Sequence, residues 1–349
     1  MDNYVIKEDV LQFAEHFELW EDLRGRTFLI TGATGLIGSV MVKCLLALNH
    51  LRKLDIKIIA VVRNIEKAKK VFSDEYDYID FRVMELNNMS VNTINTHVDY
   101  IIHLASPTAS KFFVEHPVET LRTAIEGTTT VMEYARATKT QSMVYASSLE
   151  VYGTNNTNNW LDEQFQGYLN PTEVRSSYNM GKRAAECLCH SYAKEYAVPV
   201  KIARMTQTFG AGIEYNDNRV FAQFARKAIE NEDIELHTSG ETRRMYCYTT
   251  DAVSAMLYLL LRGVDGEAYN IANKDSYISI RDMADLVREH FNKDISVVVN
   301  HKEGQGYAPQ TMLRLDTSKV EKLGWKPRHS LEIMFERLIA YMNDIKCNA

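Results

Sequence analysis

The chain has 349 residues, 46% of them hydrophobic and 25% charged, ordinary proportions for a globular protein of one large or two modest domains. Lys and Arg total 40 against 46 Asp and Glu, a formal net charge of -6 that argues against a nucleic-acid or anionic-membrane partner, since either would require a basic face. No apolar run approaches the roughly 20 residues that span a bilayer, and the start Met1-Asp2-Asn3-Tyr4 lacks the basic stretch and apolar core of a signal peptide. Five cysteines without a CxxC pair point away from a disulfide framework, and ten scattered histidines without a cluster point away from a catalytic metal. A cytoplasmic location follows as the expectation.

Taken in order, residues 1–25 read as a helical extension, with Val10, Phe13, Phe17 and Trp20 at helical spacing. It is expected to cover the sheet edge or the cofactor mouth. Strands are predicted at Thr27–Ile30, Ile56–Val62, Phe81–Leu86, Tyr100–Ala105, Met143–Ser147 and Val200–Ala203. Helices are predicted through Leu48 and over 64–72, 115–138 and 178–197. This alternation predicts an α/β fold, a Rossmann-type doubly wound parallel sheet, over residues 26–204. After 205 the segments shorten, with helices near 219–230, 250–262, 280–291 and 330–344. Residues 205–349 read as a smaller α/β substrate lobe, packed against the first and partly interleaved with it.

Thr31-Gly32-Ala33-Thr34-Gly35-Leu36-Ile37-Gly38 follows a predicted strand and opens a predicted helix. Three glycines in that setting let the backbone turn tightly and approach a pyrophosphate, which the helix start then holds with its free N–H groups. Thr34, Leu36 and Ile37 fall inside the same cradle. No Gly-Lys-Ser/Thr follows at the spacing of a nucleoside-triphosphate loop. The cofactor is therefore read as a nicotinamide dinucleotide, NAD or NADP. The second strand ends in Arg63-Asn64, where an acidic residue would favour NAD. Arg63 either stacks on adenine or pairs with a 2′-phosphate, which favours NADP, or it joins Lys69 and Lys70 on a solvated helix face.

Tyr178 and Lys182 in Tyr178-Asn179-Met180-Gly181-Lys182 lie four apart, on one helix face. A phenol beside an ammonium and a cationic nicotinamide is expected to ionise more easily and to act as a general base. The hydroxyl pair Ser147-Ser148 closes a predicted strand nearby. His103 is expected to be a packed core histidine, and Cys187 and Cys189 to fill core or groove positions.

With TGATGLIG, HLASP (103–107), YASSLEVYG (145–153), YNMGK and HPVETLRTAIEGT (116–128), the chain resembles the extended short-chain dehydrogenase/reductases, the NAD-dependent epimerase/dehydratase family acting on nucleotide sugars. Within it, HLASPTAS, Arg175-Ser176-Ser177-Tyr178 and NDNRV are most similar to the UDP-glucuronate decarboxylases. The resemblance implies that Leu104, Ala105 and Ser106 border the cofactor, that Ser148 bonds the sugar hydroxyl, that Tyr178 takes its proton, and that Lys182 binds the nicotinamide ribose. It implies further that Glu150 serves as in the dehydratases and decarboxylases, or else braces a neighbouring loop. Arg244 would grip the nucleotide diphosphate, with Arg219 and Arg314 either in the same pocket or in ion pairs. Thr108 would touch the sugar or stabilise a turn, and Arg175 and Gln207 would join the substrate site. A homodimer through the helices after Glu115 and Tyr178 is likewise implied.

Three departures stand out. Leu149 replaces the acid of the dehydratases and the Ser of the decarboxylases, Leu313 replaces a basic residue of the decarboxylases, and Gln207 replaces their Asn. A leucine cannot donate a proton, which disfavours 4,6-dehydration. The resulting reading is an enzyme that oxidises a sugar hydroxyl, at C4, and recycles its cofactor in place, as a decarboxylase or an epimerase. The alternatives are an NADPH-dependent reductase of a keto-sugar nucleotide, which Arg63 favours, and a non-enzymatic NADP-sensing protein, which intact Ser148, Tyr178 and Lys182 argue against.

Overall fold

The computed structural model describes residues 3–300 and 311–347. Seven parallel strands form the central sheet: β1 (Thr27–Thr31), β2 (Lys57–Val62), β3 (Asp80–Val83), β4 (Tyr100–His103), β5 (Ser142–Ser148), β6 (Val200–Met205) and β7 (Ala268–Ile271). Their spatial order is β7-β6-β5-β4-β1-β2-β3, so the chain reverses its direction of travel between β1 and β4. Side chains alternate across the sheet because successive Cβ atoms in a strand point to opposite faces. Phe28, Ile30, Ile58, Ala60, Ile102 and Val144 pack under one helix layer. Leu29, Ile59, Val61, Ile101, Met143 and Tyr145 pack under the other. Buried on both faces, β1, β2 and β4 read as nearly continuous apolar runs, whereas the edge strand β3 is largely uncovered.

The first layer contains helix α2 (Leu36–Arg52) and the helix Thr249–Arg262; the second contains the helices Thr128–Thr138 and Ser176–Tyr196. Four expectations shift. The strand expected to end at Leu86 stops at Val83, and Leu86–Asn88 is one tight 3-10 turn; the strand expected to reach Ala105 stops at His103. The helix expected over 115–138 carries a π-helical segment at Thr123–Gly127, where Gly181 of the long helix lies so near that an added Cβ would stand 3.0 Å from that of Ala124. The extension covers neither sheet edge. Its helix α1 (Tyr4–His16) lies on α2, the helix Thr249–Arg262 and the C-terminal helix Leu331–Cys347.

Beyond β6 the chain builds a three-stranded sheet in which Arg243–Tyr248 runs parallel to Gln207–Phe209 and antiparallel to Asn273–Ser279. The helices Val220–Glu230, Ile280–Phe291 and Leu331–Cys347 close a second core over it around Phe209, Phe221, Tyr246, Met283 and Phe335. β7 returns from this lobe to pair with β6 in the central sheet. Among the described residues no helix is long and apolar enough to cross a membrane.

Candidate active site

The C-terminal ends of β1, β4 and β5 converge where the strand order reverses, the usual place for a ligand in an open parallel sheet. Gly32 leaves β1 with φ +71°, and a Cβ there would meet the Leu104–Ala105 backbone at 2.8 Å. Gly38, one turn into α2, lies against the Gly32 carbonyl with no room for a side chain. The N-cap of α2 is Gly35, which offers no side-chain acceptor to the first-turn amides, so those donors face the turn uncapped. Such a cradle fits the pyrophosphate of a nicotinamide dinucleotide. Thr34, Leu36 and Ile37 are partly exposed around it, as are Leu104, Ala105 and Ser106 at the end of β4.

Thr31 Oγ1 meets His103 Nδ1 at 2.7 Å, and His103 Nε2 reaches Thr128 Oγ1 at 3.3 Å, tying β1, β4 and the second helix layer beneath the cradle. Burial holds the His103 pKa down at about 3, with the Lys182 charge adding to it. It is a neutral core histidine, as expected. Arg63 and Asn64 are exposed at the end of β2. Asn64 caps the next helix by accepting from Lys67 N at 2.9 Å, Lys69 pairs with Glu66, and Lys67, Lys69 and Lys70 are all exposed.

Ser148 ends β5, and its hydroxyl accepts from Glu150 N at 3.2 Å, capping the 3-10 turn Leu149–Tyr152. The long helix Ser176–Tyr196 brings Tyr178 beside it. Burial pushes the Tyr178 hydroxyl up to about 12, the hydrogen bond with Ser148 opposes that rise, and the Glu150 charge adds to it. The expected downward shift is thus absent in the protein alone. Phe113 stacks on the phenol ring at 4.2 Å and 9°, and nearly parallel apolar contact disfavours a phenolate. Lys182 is buried, donates to the Ala146 carbonyl at 2.8 Å and stands 5.8 Å from the Tyr178 ring. Burial lowers its pKa to about 8, while Glu186, four residues on, opposes that shift. Two hydroxyls side by side with an ammonium behind them can exchange a proton with a carbinol placed in front.

Glu150 lies at the mouth of this group. Asn179 Nδ2 donates to its backbone oxygen and to Oε2, both at 3.2 Å. Arg244, from the strand Arg243–Tyr248, reaches Glu150 Oε1 with Nη1 at 3.9 Å and Thr311 Oγ1 with Nη2 at 3.3 Å. Leu149 turns the other way and is buried with Met245, Leu313 and Leu315. The two leucine departures therefore share one apolar cluster.

The remaining candidates have surroundings of their own. Arg219 is held by Asp217, with Nη2 at 2.7 Å, and Arg314 is sandwiched between Trp160 at 4.1 Å and Tyr277 at 5.3 Å. Arg175 and Thr108 are exposed, at the start of the long helix and after β4. Gln207 pairs with Tyr246 across the small sheet. Cys189 is buried in the core, and Cys187, though exposed, lines a groove with Arg183, Glu186 and His190, the two kinds of position expected for them.

Asn179, Phe113 and Glu186 escaped the motif reading. Glu186 accepts from Ser147 Oγ at 2.5 Å and from Arg204 Nη2 at 2.7 Å, locking the long helix to β5 and β6. The only available signal was its position one turn after Lys182 on the same face. Among the described residues no group of His, Cys, Asp and Glu could hold a metal ion.

A cradle of glycines at a strand-to-helix turn, with Ser, Tyr and Lys at the ends of the neighbouring elements, defines a nucleotide-dependent oxidoreductase-type site on a Rossmann sheet. The profile of the NAD dependent epimerase/dehydratase family matches residues 28–272, and the chain belongs to that family of enzymes. UDP-glucuronic acid decarboxylase 1 of Xenopus tropicalis is 30% identical over 320 residues, 90% of this chain and 72% of that protein. Among solved structures, an epimerase of Methanothermobacter thermautotrophicus superposes with TM-score 0.79 at 22% identity, over 95% of this chain and 98% of that one. UDP-glucuronic acid 4-epimerase of Bacillus cereus, complexed with UDP-glucuronic acid and NAD, does so with TM-score 0.75 at 20% identity, over 91% and 99%. The chain is a nucleotide-sugar-modifying enzyme of this family, working with NAD or NADP.

Proposed function

We propose that the chain oxidises the C4 hydroxyl of a UDP-uronic acid and recycles its cofactor within the site, with decarboxylation or epimerisation as the outcome. The observation that carries this reading is the juxtaposition of the Ser148 and Tyr178 hydroxyls with Lys182 buried behind them and Glu150 held at the mouth by Asn179 and Arg244. The decarboxylase relatives supply the substrate class.

A bound nicotinamide dinucleotide supplies a reversible two-electron acceptor. In the proposal Gly32, Gly35 and Gly38 admit its pyrophosphate, and Lys182 meets its ribose. Tyr178 Oη takes the carbinol proton, and Ser148 Oγ bonds the same oxygen and orients it. Because burial holds Tyr178 as a phenol, the base forms when cationic charge enters beside it. A C4 ketone lies β to the C6 carboxylate, so the C5–C6 bond can break with CO₂ leaving and its electron pair passing to an enolate, which takes a proton from water at C5 before the ketone is reduced. Arg244 meets the diphosphate by charge-assisted bonds. Tyr178 then returns its proton when the ketone is reduced.

Purified protein with UDP-glucuronate and NAD⁺ should release CO₂ and a UDP-pentose, or form UDP-galacturonate, with no net NADH. A second reading, net reduction of a keto-sugar nucleotide with NADPH, rests on exposed Arg63 at the end of β2, where no carboxylate stands. Stoichiometric NADPH oxidation would select it. Two copies are proposed to pair through the helices following Glu115 and Tyr178, where Val114, Val118 and Ile125 are exposed; sedimentation at micromolar concentration tests this.

A further inference from the structure

The helix that precedes the family-matched region carries a buried charge that the chemistry does not use. α1 ends before residue 28, where the match begins. Val5, Val10, Phe13 and Ala14 give it an apolar face, yet Asp9 lies on that same face and is only 4% exposed. A carboxylate there must be compensated. Tyr248 Oη donates to Asp9 Oδ2 at 2.5 Å, and the Arg337 guanidinium pairs with Oδ1. Arg337 also donates to the Val5 carbonyl at 3.1 Å, and Asn3 Nδ2 donates to Asp344 at 2.6 Å, so α1 is fastened to the C-terminal helix at both ends of this contact.

Towards its C-terminal end the same face of α1 joins the cofactor lobe. Phe13 and Phe17 pack into the core shared with α2 and the helix Thr249–Arg262, and the Phe17 ring meets Tyr258 edge-on at 5.9 Å. Tyr248 is the last residue of the strand that carries Arg244, and it pairs with Phe209, at the end of the strand that begins with Gln207. The His329 ring lies tilted against that of Tyr248, with centroids 4.4 Å apart, and its backbone N–H donates to Asp251 Oδ2 at 3.1 Å, leaving the strand end clamped from several directions. An apolar residue at position 9 would bury more cheaply, because ion pairs gain little once desolvated. A carboxylate with two directional partners instead fixes where that strand stands.

We propose that α1 is a strap joining the two lobes, and that Asp9 is a positioning residue which, through Tyr248, sets the place of Arg244 and Gln207 relative to Glu150 and Tyr178. The functional half rests on the reading of Arg244 as the diphosphate-gripping residue.

The test uses the full chain with Asp9→Asn and Tyr248→Phe, each removing one bond of the clamp while keeping its shape. UDP and NAD⁺ binding are measured separately by calorimetry, and hydrogen–deuterium exchange is followed along the chain. The expected result is a loss of UDP affinity of about tenfold, NAD⁺ affinity held within about twofold, and faster exchange in 207–209 and 243–248 but not in β1. Unchanged UDP affinity with unchanged exchange in those strands overturns the strap, as does an equal loss of UDP and NAD⁺ affinity. Should Asp9→Asn fail to fold, Tyr248→Phe alone decides by the same criteria. If the parent chain binds no UDP, the nucleotide-sugar reading fails; the exchange pattern then decides the strap.

Discussion

A tyrosine whose ring is covered by Phe113 and whose hydroxyl bonds Ser148 holds its proton tightly until positive charge arrives. Tyr178→Phe removes one oxygen and little else, so kcat should fall by about 10²–10⁴-fold, the span of a lost general base, while bound cofactor is retained. Full activity in that variant would remove Tyr178 from the chemistry. His103 makes a different prediction. Its pKa is about 3 in the folded chain against 6.5 ordinarily, so between these values the unfolded chain binds the additional proton and stability falls as pH drops from about 6.5 toward 3. The slope from this one group approaches ~1.4 kcal/mol per pH unit. Urea midpoints across that range should show it, and His103→Asn should flatten it. An unchanged slope in the variant would place the acid sensitivity elsewhere.

At the scale of single elements, the β1–α2 turn is the most constrained piece. In Gly38→Ala the new methyl would run into the Gly32 carbonyl, and the turn or the helix must shift. Overpacking of this kind costs about 1–3 kcal/mol. The expected outcome is a lowered Tm together with weakened cofactor binding, read by melting and titration; tight binding at the parent level would show that the helix can yield. On the reading of Arg63 as a 2′-phosphate partner, Arg63→Asp puts a ribose-hydroxyl partner in its place, so the ratio of NADP to NAD affinity should swing toward NAD. A ratio that does not move would assign Arg63 to solvent. The turn and the helix carrying Tyr178 were readable in the sequence because their signals are local: glycines at fixed offsets after an apolar run, and a phenol and an amine one helical turn apart. The π-helical segment was not, and no local signal at Thr123–Gly127 announces it.

At the scale of the molecule, ligand and fold are linked by mass action. A UDP-sugar at a hundredfold excess over its Kd should add roughly 2.7 kcal/mol to stability. A melting series of UDP-, dTDP-, GDP- and CDP-sugars should therefore single out the uridine compounds; equal shifts with every base would sink the proposed substrate class. The three-stranded sheet was missed because Gln207–Phe209, Arg243–Tyr248 and Asn273–Ser279 are short and become strands only in one another's presence. β7 was missed for the same reason, its partner β6 lying far back in the chain.

By itself, then, the amino-acid order determined the dinucleotide turn, the parallel sheet behind it and the Tyr178–Lys182 pair, because periodicity and spacing within a few residues encode them, whereas Ser148 entered through the family resemblance. Tertiary structure alone decided that Leu149 and Leu313 turn into one apolar cluster, that Asn179 and Arg244 hold Glu150, that Arg219 answers to Asp217, that Arg314 lies between two aromatic rings, and that Asp9 meets Tyr248. Most of these contacts join residues far apart in the chain, and no local rule specifies which distant side chain a folded backbone will bring within bonding distance.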